Sequence, residues 1–317
     1  MNRRTDSNLV KIIFAICILS ITANCFHLFR PMPKNAKKFE ISVQKYDRSY
    51  FAVFPEDWSG KPVPAVIALH GGFGSGRSMF HHTGLGELAN KHQMIVVFPD
   101  GYRRSWADGR GSTSADEKNI DDVLFIEMLV NRLSSEGLID PKKVFLVGHS
   151  NGGFMAQRMA IEKPHLWKTV ISVSSQLSLP LLKNPKSKQS PNVSVYSIVG
   201  TDDTLVPYAG GYVRKGAEIL SAPDSFLRWK EWNSCVGDPK ESKINFTSQN
   251  EPNVTLIRSV YMSCSNGKKV GLFTMEGVGH VWPGKTSSIP FIDMGYETKN
   301  IKGTELVSEI ILDNLNE

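Results

Sequence analysis

The chain has 317 residues, 41% hydrophobic and 21% charged, with a formal charge of +6. This composition supports a large buried core and excludes a chain disordered throughout, and the length suits a single open α/β domain. The basic residues are scattered, with Arg3, Arg4 and Lys11 near the N-terminus, so no dense basic run points to nucleic acid.

Residues 1–30 read as a signal peptide or a membrane anchor. Arg3 and Arg4 form a positive start, residues 12–21 are nearly all apolar, and Thr22, Ala23 and Asn24 follow. Cleavage is expected after Ala23. The alternatives, in order, are an uncleaved anchor over residues 9–29 and a lipid-modified Cys25. Each places the rest of the chain outside the cytoplasm, whether secreted, periplasmic or extracellular. Residues 31–39, with Pro31, Pro33 and several lysines, read as an exposed linker, and residues 40–317 as one domain. Two of the four cysteines lie near the N-terminus, and the other two, Cys235 and Cys264, are expected to pair in an exported chain. No Cys/His spacing suggests a metal site, and no cofactor is expected.

From residue 40 onward, strand-like runs alternate with helix-like runs. Residues 64–69 (PAVIAL) end in His70-Gly71-Gly72, and residues 94–98 (MIVVF) end in Pro99-Asp100-Gly101. Residues 119–133 carry Ile120, Val123, Leu124, Met128 and Leu129 at helical spacing, before a turn at Asp140-Pro141. Residues 144–147 (VFLV) lead into Gly148. Residues 170–173, 193–199 and 272–275 are further strands, and residues 304–315 form a terminal helix with Thr304 as its cap. Apolar strands alternating with helices predict an α/β fold: a mostly parallel central sheet with helices on both faces. In such sheets ligands meet the carboxyl ends of the strands.

The chemistry-bearing motifs fall at those ends. Gly148-His149-Ser150-Asn151-Gly152 is a G-x-S-x-G between an apolar strand and a helix-compatible run. That context is a nucleophile elbow: the tight turn needs small neighbours and projects the Ser150 hydroxyl outward. A serine nucleophile needs a base oriented by an acid, and in this fold the order is serine, acid, histidine. Gly200-Thr201-Asp202-Asp203 follows a strand, so either aspartate fits as the acid. His280, in the Gly-rich run 277–284 after the last strand, fits as the base. His81, His82 and His165 precede any candidate acid and read as surface residues. The oxyanion hole is expected from the N–H groups of Asn151 and Gly72, with Phe73 as the second choice after Gly72.

Taken together, His70-Gly71-Gly72, Phe98-Pro99-Asp100-Gly101, Ser105-Trp106-Ala107-Asp108-Gly109-Arg110, the elbow, Gly200-Thr201-Asp202-Asp203, Val206-Pro207-Tyr208 and Gly279-His280-Val281-Trp282-Pro283-Gly284 resemble a known family. It is the extracellular polyhydroxybutyrate depolymerase and feruloyl esterase family, overlapping carbohydrate esterase family 1. The resemblance spans roughly residues 40–317. It implies an α/β-hydrolase fold and a serine esterase acting through an acyl-enzyme, with Asp203 as the acid and Asp202 at a variable position. It also supports the Cys235–Cys264 pairing. Phe73, Trp106 and Trp282 are expected to line the substrate pocket. The expected partner is a small or oligomeric ester (hydroxybutyrate, feruloyl or acetyl-xylan type), with membrane contact only through an N-terminal anchor. The rival readings are a lipase or peptidase of the same fold, and a non-catalytic binding protein.

Overall fold

Six strands run parallel at the centre of one large sheet, and antiparallel strands extend it on both sides. The computed structural model describes residues 31–188, 190–213, 216–249, 251–286 and 292–315. The signal or anchor segment, with its Ala23 and Cys25 alternatives, lies outside them. The chain divides into two units, residues 1–34 and 35–317, and the second carries the sheet.

The strands of this second unit are β1 (Ala36–Val43), β2 (Tyr46–Val53), β3 (Val63–Leu69), β4 (Ile95–Pro99), β5 (Ile139–His149), β6 (Thr169–Val173) and β7 (Ser194–Gly200), then the short pair β8 (Gly211–Tyr212) and β9 (Glu218–Ile219), then β10 (Lys240–Phe246), β11 (Val254–Tyr261) and β12 (Val270–Glu276). The main sheet has the order β1-β2-β4-β3-β5-β6-β7-β12-β11-β10. From β4 to β12 every pairing is parallel. The outer pairings, including β2 with β4, are antiparallel.

The central strands read as continuous apolar runs because helices cover both faces. The helices are α1 (Gly76–Thr83), α2 (Leu88–His92), α3 (Ser114–Glu117), α4 (Asp122–Ser135), α5 (Asn151–Glu162), α6 (Leu179–Leu182), α7 (Ala222–Trp232) and α8 (Gly303–Leu315). Successive strand side chains alternate between two cores. Ile67, Leu69, Val144, Leu146 and Val170 pack with Phe125, Leu129, Met155, Met159 and Trp229 of α4, α5 and α7. Val66, Ala68, Phe145, Val147 and Ile171 pack with Met79, Leu88, Val307 and Ile311 of α1, α2 and α8.

Several boundaries differ from the sequence reading. The sheet begins at Ala36, so residues 36–39 of the stretch read as linker are strand. Asp140 and Pro141 lie inside β5 at a register irregularity: Val63 pairs with Ile139 but Ala65 pairs with Val144. Thr304 does not cap α8, which starts at Gly303. Its hydroxyl donates to the Thr83 carbonyl (2.5 Å) and accepts from the Trp282 indole (3.2 Å), tying the helix to the chain around it.

Strand order fixes where a site can form. The chain places β4 on one side of β3 and β5 on the other, so the sheet changes direction at β3. The loops leaving β3 and β5 diverge there, and in open α/β sheets ligands bind at such a point, at the carboxyl ends of the strands. The loop after β3 begins at His70, and the turn after β5 holds Ser150.

Candidate active site

The β5–α5 turn is tight enough to force unusual geometry. Ser150 has φ 53° and ψ −119°, a conformation that costs a non-glycine residue on the order of 1–3 kcal/mol and persists only where its surroundings impose it. Its N–H donates to the Val173 carbonyl (2.8 Å), and its carbonyl accepts the first α5 hydrogen bond from Phe154 (3.0 Å). Three glycines make the turn sterically feasible. A Cβ at Gly148 would lie 2.0 Å from the Gly152 carbonyl oxygen. One at Gly152 would lie 2.4 Å from the Leu69 carbonyl oxygen, and one at Gly153 would lie 2.2 Å from Ser175 Oγ.

The Ser150 hydroxyl meets His280 Nε2 at 2.8 Å, and His280 Nδ1 meets Asp203 Oδ2 at 2.7 Å. The second Asp203 oxygen accepts from the N–H groups of Leu205 (2.9 Å) and Val206 (2.7 Å), so this buried carboxylate is held on both sides. Its neighbour Asp202 is exposed, and its carboxylate accepts from the Thr201 hydroxyl. Glycines again allow close packing. A Cβ at Gly200 would lie 2.0 Å from the Val278 carbonyl oxygen, and one at Gly279 would lie 2.0 Å from that of Met294. The His280 loop is therefore seated between the end of β7 and the chain at 294–296, where its backbone N–H donates to Met294 (2.5 Å).

The loop after β3 faces the same serine. A Cβ at Gly71 would lie 3.5 Å from Ser150 Cβ, and one at Gly72 would lie 3.9 Å from Asn151 Cβ. Asn151 opens α5, and the first N–H groups of a helix have no partner within it. Among the described residues no hydrogen bond takes up the Gly72 N–H. Phe73, the second choice, has its N–H committed to the Arg104 carbonyl at 2.8 Å.

A buried polar clamp fixes these parts against one another. The Asn151 side chain accepts from the Trp106 N–H (2.9 Å) and donates to the Trp106 carbonyl (3.1 Å) and to Asp108 Oδ2 (2.6 Å). Arg110 grips the same Asp108 carboxylate through Nε (3.0 Å) and Nη2 (2.7 Å), and lies 3.9 Å over the Phe154 ring. Burial raises the Asp108 pKa, and the Arg110 charge opposes that rise. The Trp106 indole N–H donates to the His70 carbonyl (2.9 Å). His70 Nδ1–H donates to the Gly71 carbonyl (2.7 Å), while Nε2 accepts from the Gly101 N–H (2.9 Å). Burial lowers the His70 pKa to about 4, so this tautomer is neutral near pH 7. His149, its ring 5.6 Å from that of His280, is also held neutral by burial.

Two expectations need correction. Trp106 and Trp282 do not line a substrate pocket: both are 0% exposed. Trp106 packs in the core under the loop it anchors, and Trp282 packs beside His149 with its N–H on Thr304. Phe73, by contrast, is 76% exposed. His81 and His82 are half-buried rather than surface residues, and the His82 ring lies 6.3 Å from that of His149; His165 is exposed. Cys235 and Cys264 form a disulfide. Asp108, Arg110 and His70 are visible as motif residues, but their clamping role has no sequence signal. Among the described residues no group of His, Cys, Asp or Glu could hold a metal ion, and no helix is long and apolar enough to cross a membrane.

The chain is similar to several known esterases. Feruloyl esterase B of Piromyces equi is 27% identical over 74% of the chain, and poly(3-hydroxyalkanoate) depolymerase C of Paucimonas lemoignei is 23% identical over 71%. The matches span 42% and 57% of those relatives' own lengths. The solved acetyl xylan esterase from Aspergillus awamori superposes with a TM-score of 0.53 at 16% identity, covering 77% of this chain and 94% of that one. At that identity it shows the fold alone, an α/β hydrolase. A family model described as "Putative esterase" matches residues 45–243, well over half of the chain, so the protein belongs to the Esterase family.

Proposed function

We propose that the protein hydrolyses carboxylic esters in two steps through an acyl-enzyme on Ser150. The observation that carries this reading is the hydrogen-bonded row Ser150–His280–Asp203 at the carboxyl ends of the sheet. His280 Nε2 takes the Ser150 proton as Oγ attacks the ester carbonyl. Asp203 holds the Nδ1–H tautomer and stabilises the imidazolium that forms. The developing oxyanion is met by the N–H groups of Asn151 and Gly72, assisted by the positive end of α5. Protonated His280 then gives its proton to the leaving alcohol. It next accepts one from a water that attacks the acyl carbonyl, which releases the acid and restores the serine.

The relatives' names support feruloyl, acetyl-xylan or hydroxyalkanoate esters as the substrate class. The apolar N-terminal run and the disulfide support action outside the cytoplasm. The test is turnover of a panel of aryl, feruloyl, acetyl-sugar and hydroxybutyrate esters, with fluorophosphonate labelling. Wild type should label at Ser150 and hydrolyse at least one class. Near-wild-type turnover by Ser150→Ala would overturn the reading.

A further inference from the structure

The turn after β4 holds two arginines in a conformation that their backbones disfavour. Arg103 has φ 46° and Arg104 φ 64°, and both side chains are exposed. The turn is closed by Arg104 N–H on the Gly101 carbonyl (3.2 Å) and Ser105 N–H on the Tyr102 carbonyl (3.0 Å). It is pressed against the loop beside Ser150: a Cβ at Gly101 would lie 3.1 Å from His70 Nε2. Phe73, at φ 62° and 76% exposed, donates its N–H to the Arg104 carbonyl. Two non-glycine residues in the left-handed region, Phe73 and Arg104, are therefore joined by one hydrogen bond, with a third, Arg103, next to Arg104 in the chain. Glycine or asparagine would close such a turn with less strain. Strain of this kind gathers at ligand-binding segments.

Among the described residues neither Arg103 nor Arg104 has an ion pair; Arg103 lies 5.5 Å over the Tyr102 ring. Asp100 also acts on His70, but its oxygens are taken by the Gly76 N–H (2.8 Å) and the Ser49 hydroxyl (2.7 Å). The Arg104 charge is felt at His70, the first residue of the loop that faces Ser150.

We propose that Arg104, with Arg103 beside it and Phe73 joined to it by the backbone hydrogen bond, forms a subsite for a carboxylate carried by the ester substrate. The Phe73 ring offers an apolar surface to the part of the substrate between that carboxylate and the scissile bond. The subsite deepens the esterase reading and rests on it. It makes esters that carry a carboxylate better substrates than neutral esters of the same size.

Two matched pairs of substrates test this. 4-Nitrophenyl hydrogen succinate against 4-nitrophenyl butyrate places the charge on the acyl side. 4-Carboxyphenyl butyrate against phenyl butyrate places it on the alcohol side. In at least one pair, Arg104→Gln should lower the anionic-to-neutral ratio of kcat/KM by about fivefold, chiefly through KM, as befits a solvent-exposed charge contact. Arg104→Lys should restore most of the ratio, and Arg103→Gln should lower it less. Raising the salt concentration with wild type should lower the same ratio without any mutation, because screening weakens exposed charge contacts. A ratio unchanged by salt, and equal to wild type in Arg103→Gln/Arg104→Gln for both pairs, overturns the subsite. If wild type cleaves no ester and fluorophosphonate leaves Ser150 unlabelled, the esterase reading falls and the subsite falls with it.

Discussion

The Trp106 indole N–H donates to the His70 carbonyl at 2.9 Å, with the two rings 4.9 Å apart. Through this contact a fully buried tryptophan positions the loop that faces Ser150. The backbone of Trp106 is gripped in turn by the Asn151 side chain. Three chain segments around Ser150 are thus joined by two residues.

Trp106→Phe keeps an aromatic ring but removes the donor and leaves a cavity where the five-membered ring stood. The buried His70 carbonyl then loses its partner, a change that costs about 1–3 kcal/mol. The expected result is a lower thermal midpoint, together with a fall in kcat for a short-chain aryl ester that exceeds any change in KM. Unchanged kcat would mean that the indole N–H serves packing alone.

Asn151 carries two separable functions. Its backbone N–H is proposed to face the oxyanion, while its side chain binds Trp106 and Asp108. Asn151→Ala leaves the backbone group but strips the clamp, stranding the Trp106 polar groups and one Asp108 contact. Asn151→Asp goes further by setting a second carboxylate against Asp108, where the donated bond is now 2.6 Å. Asp should therefore be the more damaging substitution above pH 7, and its deficit should shrink as the pH falls and one carboxyl of the pair takes up a proton. Parallel unfolding curves of the two variants at several pH values check the order.

His70 makes stability fall on acidification. Its folded pKa is lowered to about 4 from 6.5, chiefly by burial. Between those values the unfolded chain binds a proton that the folded chain refuses, so unfolding becomes easier as pH falls from about 6.5 toward 4. The full shift corresponds to about 3 kcal/mol. His70→Asn removes the titrating group, so its stability should decline less over that pH window than wild type's. Denaturant midpoints measured from pH 7 to pH 4 give the comparison.

The sequence is most legible where one physical requirement dominates. The buried centres of strands β3 to β7 can be read because burial on both faces leaves short apolar runs such as residues 144–147. β10 is mostly exposed, and its sequence KESKINF carries no such pattern. Ser150 and His280 can be located because a tight turn and a Gly-rich loop demand recognisable neighbours. Asp202 and Asp203 cannot be separated by their residue type; only the turn geometry buries one and exposes the other. Trp106 and Trp282 mislead for a related reason, since an aromatic near a motif suits a pocket and a core equally. The Asn151–Asp108 contact joins residues 43 apart, and nothing local to either announces the other.

The Cys235–Cys264 disulfide joins the chain after α7 to the segment before β12, with a separation of 29 residues. Closing a loop of that size is worth about 3–4 kcal/mol in the chain-entropy account. Reduction should lower the unfolding midpoint accordingly, and Cys235→Ser/Cys264→Ser should no longer respond to reductant. Because neither cysteine is among the hydrogen-bond partners of Ser150, Asp203 or His280, kcat measured well below the midpoint should change little in either case.

The last prediction separates Gly152 in the elbow from Gly72 in the loop after β3. A Cβ at Gly152 would stand 2.4 Å from the Leu69 carbonyl oxygen and 2.5 Å from that of His70, both backbone atoms. Gly152→Ala can be accommodated only if the loop after β3 moves away from the elbow. That displaces the Gly72 N–H from the oxyanion position proposed for it, and losing one such donor costs about a hundredfold or more in kcat. Gly72 is different. Its φ is not among the positive ones, and a Cβ there would meet nothing closer than Asn151 Cβ at 3.9 Å. Gly72→Ala keeps the N–H in place, so it should fold and retain most of the wild-type kcat on a short-chain ester. If Gly72→Ala lost as much kcat as Gly152→Ala, the close approach of the two loops would not be what sets the oxyanion geometry.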